Sequence, residues 1–115
     1  MPHIRIRALS ESAIKELSIF LPKELAKILH TPEDNFTVEK IATIFYRGGE
    51  VISDGQGDPM IDFLWFDRGT EIRDKAAQKI TELVQQYTAS KFIAVVFTNI
   101  EKDHYYENGM NFASQ

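Results

Sequence analysis

The chain contains no cysteine in its 115 residues. Disulfides, thiolate zinc sites and cysteine nucleophiles are therefore excluded together. Long apolar runs are also missing, and no stretch approaches the roughly 20 residues that a membrane-spanning helix needs. Basic charge is in deficit: 13 Lys and Arg stand against 17 Asp and Glu, for a net charge of −4. Nucleic-acid binding by counterion release requires clustered basic residues and is disfavoured. Loop-forming stretches are scarce. Ser53 to Pro59 is the only loop-like run of any length, too short to separate two domains. The opening Met1-Pro2-His3-Ile4-Arg5 alternates and lacks the apolar segment of a signal peptide. With 43% hydrophobic residues, the expectation is one cytoplasmic domain spanning 1–115. A chain of this size buries roughly two thirds of its unfolded surface without a metal or disulfide staple.

Periodicity orders the elements. Ile4, Ile6 and Ala8 alternate with His3, Arg5 and Arg7, which predicts a strand. Ser10 is placed to cap a helix whose stripe runs through Ile14, Leu17, Leu21, Leu25 and Ile28. Pro22 interrupts that stripe and predicts a kink or restart, because it lacks a donor and crowds the carbonyl of Ser18. Thr31-Pro32 ends the helix. Thr37 to Tyr46 reads as a second strand with an irregular pattern that admits a bulge or bend, followed by a turn at Gly48-Gly49. Met60 to Phe66 is a third strand, Gly69-Thr70 opens a second helix, and Phe92 to Thr98 is a fourth strand. Asn108-Gly109 marks a tight turn in the tail.

The order is strand, helix, strand, repeated. Pro2, Ile4, Ile6 and Ala8 find counterparts in Pro59, Ile61, Phe63 and Trp65. Two right-handed βαβ units side by side give an α+β fold: a four-stranded mixed sheet with both helices on one face. The third and fourth strands read as apolar on both faces, a pattern of strands covered on both sides. The free face is therefore expected to meet another copy of the chain.

Few residues stand out chemically. Pro2 would carry a free secondary amine if Met1 were removed. In an apolar pocket such an amine loses cation solvation, its pKa falls, and it becomes a general base near neutrality. The plain structural reading is a proline that opens a strand. Arg5 and Arg7 share one strand face and could hold a carboxylate through bidentate contacts, or pair with acidic neighbours. Arg68, beside the start of the second helix, is a candidate anion clamp; an ion pair with Asp67 or Glu71 is the alternative. His3, His30 and His104 show no ligand spacing, so no metal site is expected. Tyr105-Tyr106-Glu107-Asn108-Gly109 suits a pocket wall or an anchored tail.

Met1-Pro2-His3-Ile4-Arg5, the βαβ repeat and Tyr105-Tyr106-Glu107-Asn108-Gly109 with Phe112 resemble the tautomerase superfamily, which includes macrophage migration inhibitory factor. Leu64-Trp65-Phe66-Asp67-Arg68-Gly69 is similar to a bacterial branch whose function is unassigned. The resemblance covers essentially the whole chain. It implies a homotrimer in which the sheets wrap a central barrel and the helices lie outside. It implies that Pro2 moves a proton in keto–enol tautomerisation of a small carboxylate-bearing carbonyl compound, without a cofactor. On that resemblance the lysine after the first helix falls near His30, and a strand-end pocket position falls at Arg68. Phe66 and Tyr106 become pocket-wall candidates. The polar and tyrosine positions of the last strand fall at Ala94 and Val96, both inert, so that branch's particular substrate does not carry over. Two alternatives stay open: a non-catalytic trimeric module that binds a ligand or protein, and a ferredoxin-like dimer with the same element order.

Overall fold

The computed structural model describes residues 1–114. Strand β1 (His3–Arg7) leads into helix α1 (Glu11–Leu29), and strand β2 (Thr37–Lys40) returns parallel to β1. A short hairpin follows, β3 (Phe45–Arg47) with β4 (Glu50–Ile52). The second unit is β5 (Met60–Trp65), α2 (Thr70–Gln85) and β6 (Ala94–Asn99), again with parallel strands. β1 and β5 meet antiparallel at the centre, so the sheet order is β2-β1-β5-β6. The tail adds a two-residue hairpin, β7 (Tyr106–Glu107) with β8 (Met110–Asn111), between short 3-10 turns at Lys102–His104 and Phe112–Ser114. The expected α+β architecture of two βαβ units is the observed one.

The repeat extends to single hydrogen bonds. Thr37 N–H donates to the Pro2 carbonyl at 3.1 Å, and Ala94 N–H donates to the Pro59 carbonyl at 3.1 Å. Each proline thus opens its unit at a point where its missing N–H costs nothing, while its carbonyl fastens the returning strand.

Alternation decides which side chains enter the core. Ile4 and Ile6 from β1 and Ile61, Phe63 and Trp65 from β5 are fully buried under the helices. α1 contributes Leu17, Leu21 and Leu25, and α2 contributes Ala76, Ile80 and Val84. Phe63, Trp65 and Phe97 pack as an aromatic trio with centroids 5.0–5.9 Å apart. The buried end of Trp65 is satisfied by Asn99, whose Oδ1 accepts from the indole at 2.8 Å.

Three expectations are corrected. First, the restart expected at Pro22 does not occur: α1 is a single helix through Pro22, which is buried within it. Seven buried positions hold the helix to the core on both sides of Pro22 and outweigh one lost backbone bond. The helix stops at His30, whose left-handed φ of 54° caps it with a bond to Ala26. Second, the Thr37–Tyr46 run is two strands. β1 ends at Ala8, which turns away at φ 72°, so β2 loses its partner just beyond Ile41, and the chain finds a new one in β4. Asp54 holds the bend by accepting from the Thr43 amide at 3.1 Å and from Lys40 at 3.0 Å. Third, the open sheet face is not apolar throughout. The large aromatics turn inward, and the open positions are Met60, Asp62 and Leu64 on β5 and Ala94, Val96 and Thr98 on β6. Toward β1 and β2 that face carries charge.

Candidate functional site

The N-terminus, the end of β5 and the tail converge. Pro2 is buried. Met1 lies beyond it, and its terminal ammonium donates to the Asn35 carbonyl at 3.0 Å. Met1, Asn35, Phe66, Arg68, Lys102 and Phe112 line a cleft of about 270 Å³ together with Thr31 and Asp67.

Each wall has a local cause. β5 ends at Trp65, and the chain turns through Asp67, whose Oδ1 accepts from the Gly69 amide at 2.9 Å. Gly69, at φ 93°, then opens α2. That turn sets Arg68 against the body of the protein: its Nη1 donates to the Phe66 carbonyl at 2.8 Å, and its guanidinium carbon lies 5.9 Å from the Trp65 ring centroid. Burial pulls the Arg68 pKa below its ordinary value, yet a guanidinium remains charged. Phe66 is the tail's docking point. It stacks on Phe112 at 5.0 Å and meets Tyr105 edge-on at 5.5 Å. Phe112 N–H closes the tail by donating to the Tyr105 carbonyl at 2.8 Å. Lys102 Nζ consequently sits 5.7 Å from the Phe66 ring centroid.

An adjoining cleft of about 460 Å³ shares Phe66, Asp67 and Lys102. It is roomier, but Asp67, Glu101 and Asp103 all line it. Three carboxylates make it a poor home for an acidic compound, so charge favours the smaller cleft. No three His, Asp or Glu side chains converge on a metal position among the described residues.

The sequence candidates are distributed as follows. Phe66 and Arg68 line one cleft with Met1, while Pro2, the next residue, is buried and does not itself line it. Arg5 and Arg7 lie on the open sheet face and are paired with acids: Arg5 Nε stands 3.1 Å from Glu39, and Arg7 Nη1 bonds Asp62 at 2.7 Å. Arg5 Nε makes no aligned hydrogen bond despite that distance, so its pairing is the weaker one. His30 caps α1, exposed, with Thr31 rather than itself on the cleft. Tyr106 is 60% exposed on β7, while its neighbour Tyr105 packs on Phe66. Lys102 is the residue that sequence reasoning missed. Nothing local marks it, and only the return of the tail onto Phe66 brings it to Arg68.

Two βαβ units, a mixed sheet covered on one face and a cleft at the N-terminal residues define a tautomerase-like fold. Macrophage migration inhibitory factor of Toxoplasma gondii superposes with a TM-score of 0.75 at 18% identity, over 96% of this chain and all of its own. The chain belongs to the family of the domain of unknown function DUF1904, whose model matches residues 1–111. A DUF1904 structure from Sebaldella termitidis ATCC 33386 matches with 37% identity and a TM-score of 0.86, over 97% of this chain and 100% of that one. A protein of unknown function from Vibrio cholerae O1 biovar eltor matches with 34% identity and a TM-score of 0.82, over 96% and 87% of the two chains. Two further neighbours share the fold at 14% identity: Pt0534 inactivated by 2-oxo-3-pentynoate (TM-score 0.76) and a fused 4-OT asymmetric trimer (TM-score 0.74). No curated protein matches significantly.

Proposed function

We propose that the protein is a tautomerase acting on a small keto acid or related carbonyl compound, with Pro2 as general base after loss of Met1. The observation that carries this reading is that Met1 lines the same cleft as Arg68 and Phe66. Removing Met1 opens space beside Pro2 and converts its amide nitrogen into a secondary amine. Arg68 anchors the carboxylate. The amine takes the proton on the carbon next to the carbonyl, and the electron pair moves onto the carbonyl oxygen. The enolate is then protonated there to give the enol. The Arg68 guanidinium stabilises the added negative charge. The inactivation of Pt0534 by an oxo acid analogue belongs to that protein, and it supports the choice of substrate class here.

The working unit is proposed to be a cytoplasmic homotrimer. The apolar side of the open sheet face, with Val96 41% exposed, supports assembly. So does shape: the radius of gyration is 15.1 Å, against about 13 Å for a compact chain of this length. The 4-OT neighbour is a trimer in its own right. No helix among the described residues is long and apolar enough to cross a membrane.

The test joins intact mass to turnover of phenylpyruvate. The mature chain is expected to lack Met1, and Pro2→Gly is expected to lower enolisation by about 10²- to 10⁴-fold. Equal rates for wild type and variant would remove Pro2 as the base. A second reading, a non-catalytic ligand-binding module, is favoured by the burial of Pro2 and the bond from the Met1 ammonium to Asn35. Retention of Met1 in every molecule would establish that reading over the first.

A further inference from the structure

We infer that Lys102 is a second anion-binding residue of the Arg68 cleft, carried by the tail, and that the cleft takes a small compound with two negative charges. This rests on Arg68 as the anchor in the proposed function and extends it to the charge of the ligand.

Pairing across the molecule motivates the assignment. Arg5, Arg7, Lys40 and Arg47 all reach carboxylates, as do Lys27, Lys75 and Lys79 along the helices. Lys15, Lys23, Arg68, Arg73, Lys91 and Lys102 make no ion pair among the described residues, and of these only Arg68 and Lys102 line the cleft. Each of these two faces an aromatic ring instead, Trp65 for Arg68 and Phe66 for Lys102. A ring face offsets lost hydration without neutralising the charge or occupying its N–H donors. Arg68 spends one donor on the Phe66 carbonyl and keeps the rest of its fork. Two un-neutralised cations thus line one concavity of about 270 Å³, large enough for a small organic acid. The acid in that cleft, Asp67, directs Oδ1 to the Gly69 amide. One carboxylate on a ligand balances one cation; the second calls for a second anionic group.

The two cations also come from different parts of the chain. Arg68 lies between β5 and α2, bonded to the Phe66 carbonyl. Lys102 belongs to the tail, held through the Phe66, Tyr105 and Phe112 rings. A dianion spanning both ties the tail to the body, so binding is expected to slow amide exchange at Phe112.

The experiment is calorimetric titration of the full chain with acetate, succinate and inorganic phosphate at low salt. Succinate or phosphate is expected to bind at least tenfold tighter than acetate. Lys102→Gln is expected to erase most of that preference while leaving acetate binding unchanged, and Arg68→Gln is expected to weaken all three. Tight succinate without phosphate identifies a dicarboxylate; the reverse identifies a phosphoryl group; both outcomes support the inference. It is overturned if neither dianion outcompetes acetate, or if Lys102→Gln binds both dianions as wild type does. Thermal unfolding of each variant confirms that it folds. Dianion binding that survives in a chain with no Pro2-dependent turnover would retire the proposed enzyme while keeping this site. Full turnover with an unaltered Lys102→Gln would do the opposite.

Discussion

The Pro2 end and the Pro59 end of the molecule start from one backbone plan and finish differently. Both prolines are buried, both open a central strand, and both accept a 3.1 Å bond from the parallel strand of their unit. At the Pro2 end, the cleft lined by Met1 also holds Arg68 and Lys102, cations without acidic partners. Beside Pro59 the neighbours are Phe45, Met60 and Phe92, around an apolar hollow of about 240 Å³. Asp58, the one charged side chain among the described residues lining the hollow, is already engaged. It accepts from Ser90 at 2.6 Å and from Arg47 of the hairpin at 3.1 Å. A duplicated scaffold therefore does not duplicate a site. Side chains arriving from outside the repeat decide which end stays open to a charged ligand and which is pinned to its own hairpin.

The comparison can be broken or sharpened by substitution. The largest effect is expected in the core that both ends share. Trp65→Ala removes the centre of the aromatic trio and the ring beneath Arg68, and should cost about 3–5 kcal/mol in chemical denaturation. A loss under about 1 kcal/mol would show that the trio is not central to stability. Pro59→Ala is expected to cost less, about 0.4–1 kcal/mol, through added freedom of the unfolded chain. Its phenylpyruvate turnover should match wild type, unlike that of Pro2→Gly; a matching loss at both prolines would mean that the ends act alike.

The smallest effect is electrostatic and confined to the Pro59 end. Hydrogen bonding from Ser90, then from Arg47, holds the Asp58 pKa below its ordinary 3.8. A lowered folded pKa stabilises the folded state above 3.8, and that contribution disappears as pH falls through the folded value. Acidification below about 4 should therefore loosen the β3–β4 hairpin from Ser90. Carboxyl chemical shifts of Asp58 followed with the amide of Ser90 check this, with Asp58→Asn as the pH-independent control. Identical titration of the Ser90 amide in both proteins would separate the hairpin from Asp58.

Much of the scaffold was legible from residue patterns. The alternation Ile4-Arg5-Ile6 marks β1, the stripe from Ile14 to Ile28 marks α1, and the match of Pro2 with Pro59 marks the repeat. The restart read at Pro22 misled because a local rule was applied to a helix that the core holds together. The run from Thr37 to Tyr46 misled because its strand propensity is continuous while its partner, β1, stops at Ala8. The site was half legible. Arg68 could be named from its place after a strand, and Phe66 only through the family resemblance. Arg5 and Arg7 could be named as cations, but their carboxylates, Glu39 and Asp62, come from neighbouring strands and are set by register.

The sequence alone determined that this is one cysteine-free, mildly acidic chain of two βαβ units, because period and composition act over a few residues and need no partner to be read. Only the tertiary structure decided the rest. It turned the aromatics of β5 and β6 to one face, split the second strand, and folded the tail onto Phe66. The last of these brings Lys102 to Arg68. Contacts between distant segments depend on strand register and ring packing, which no local pattern encodes.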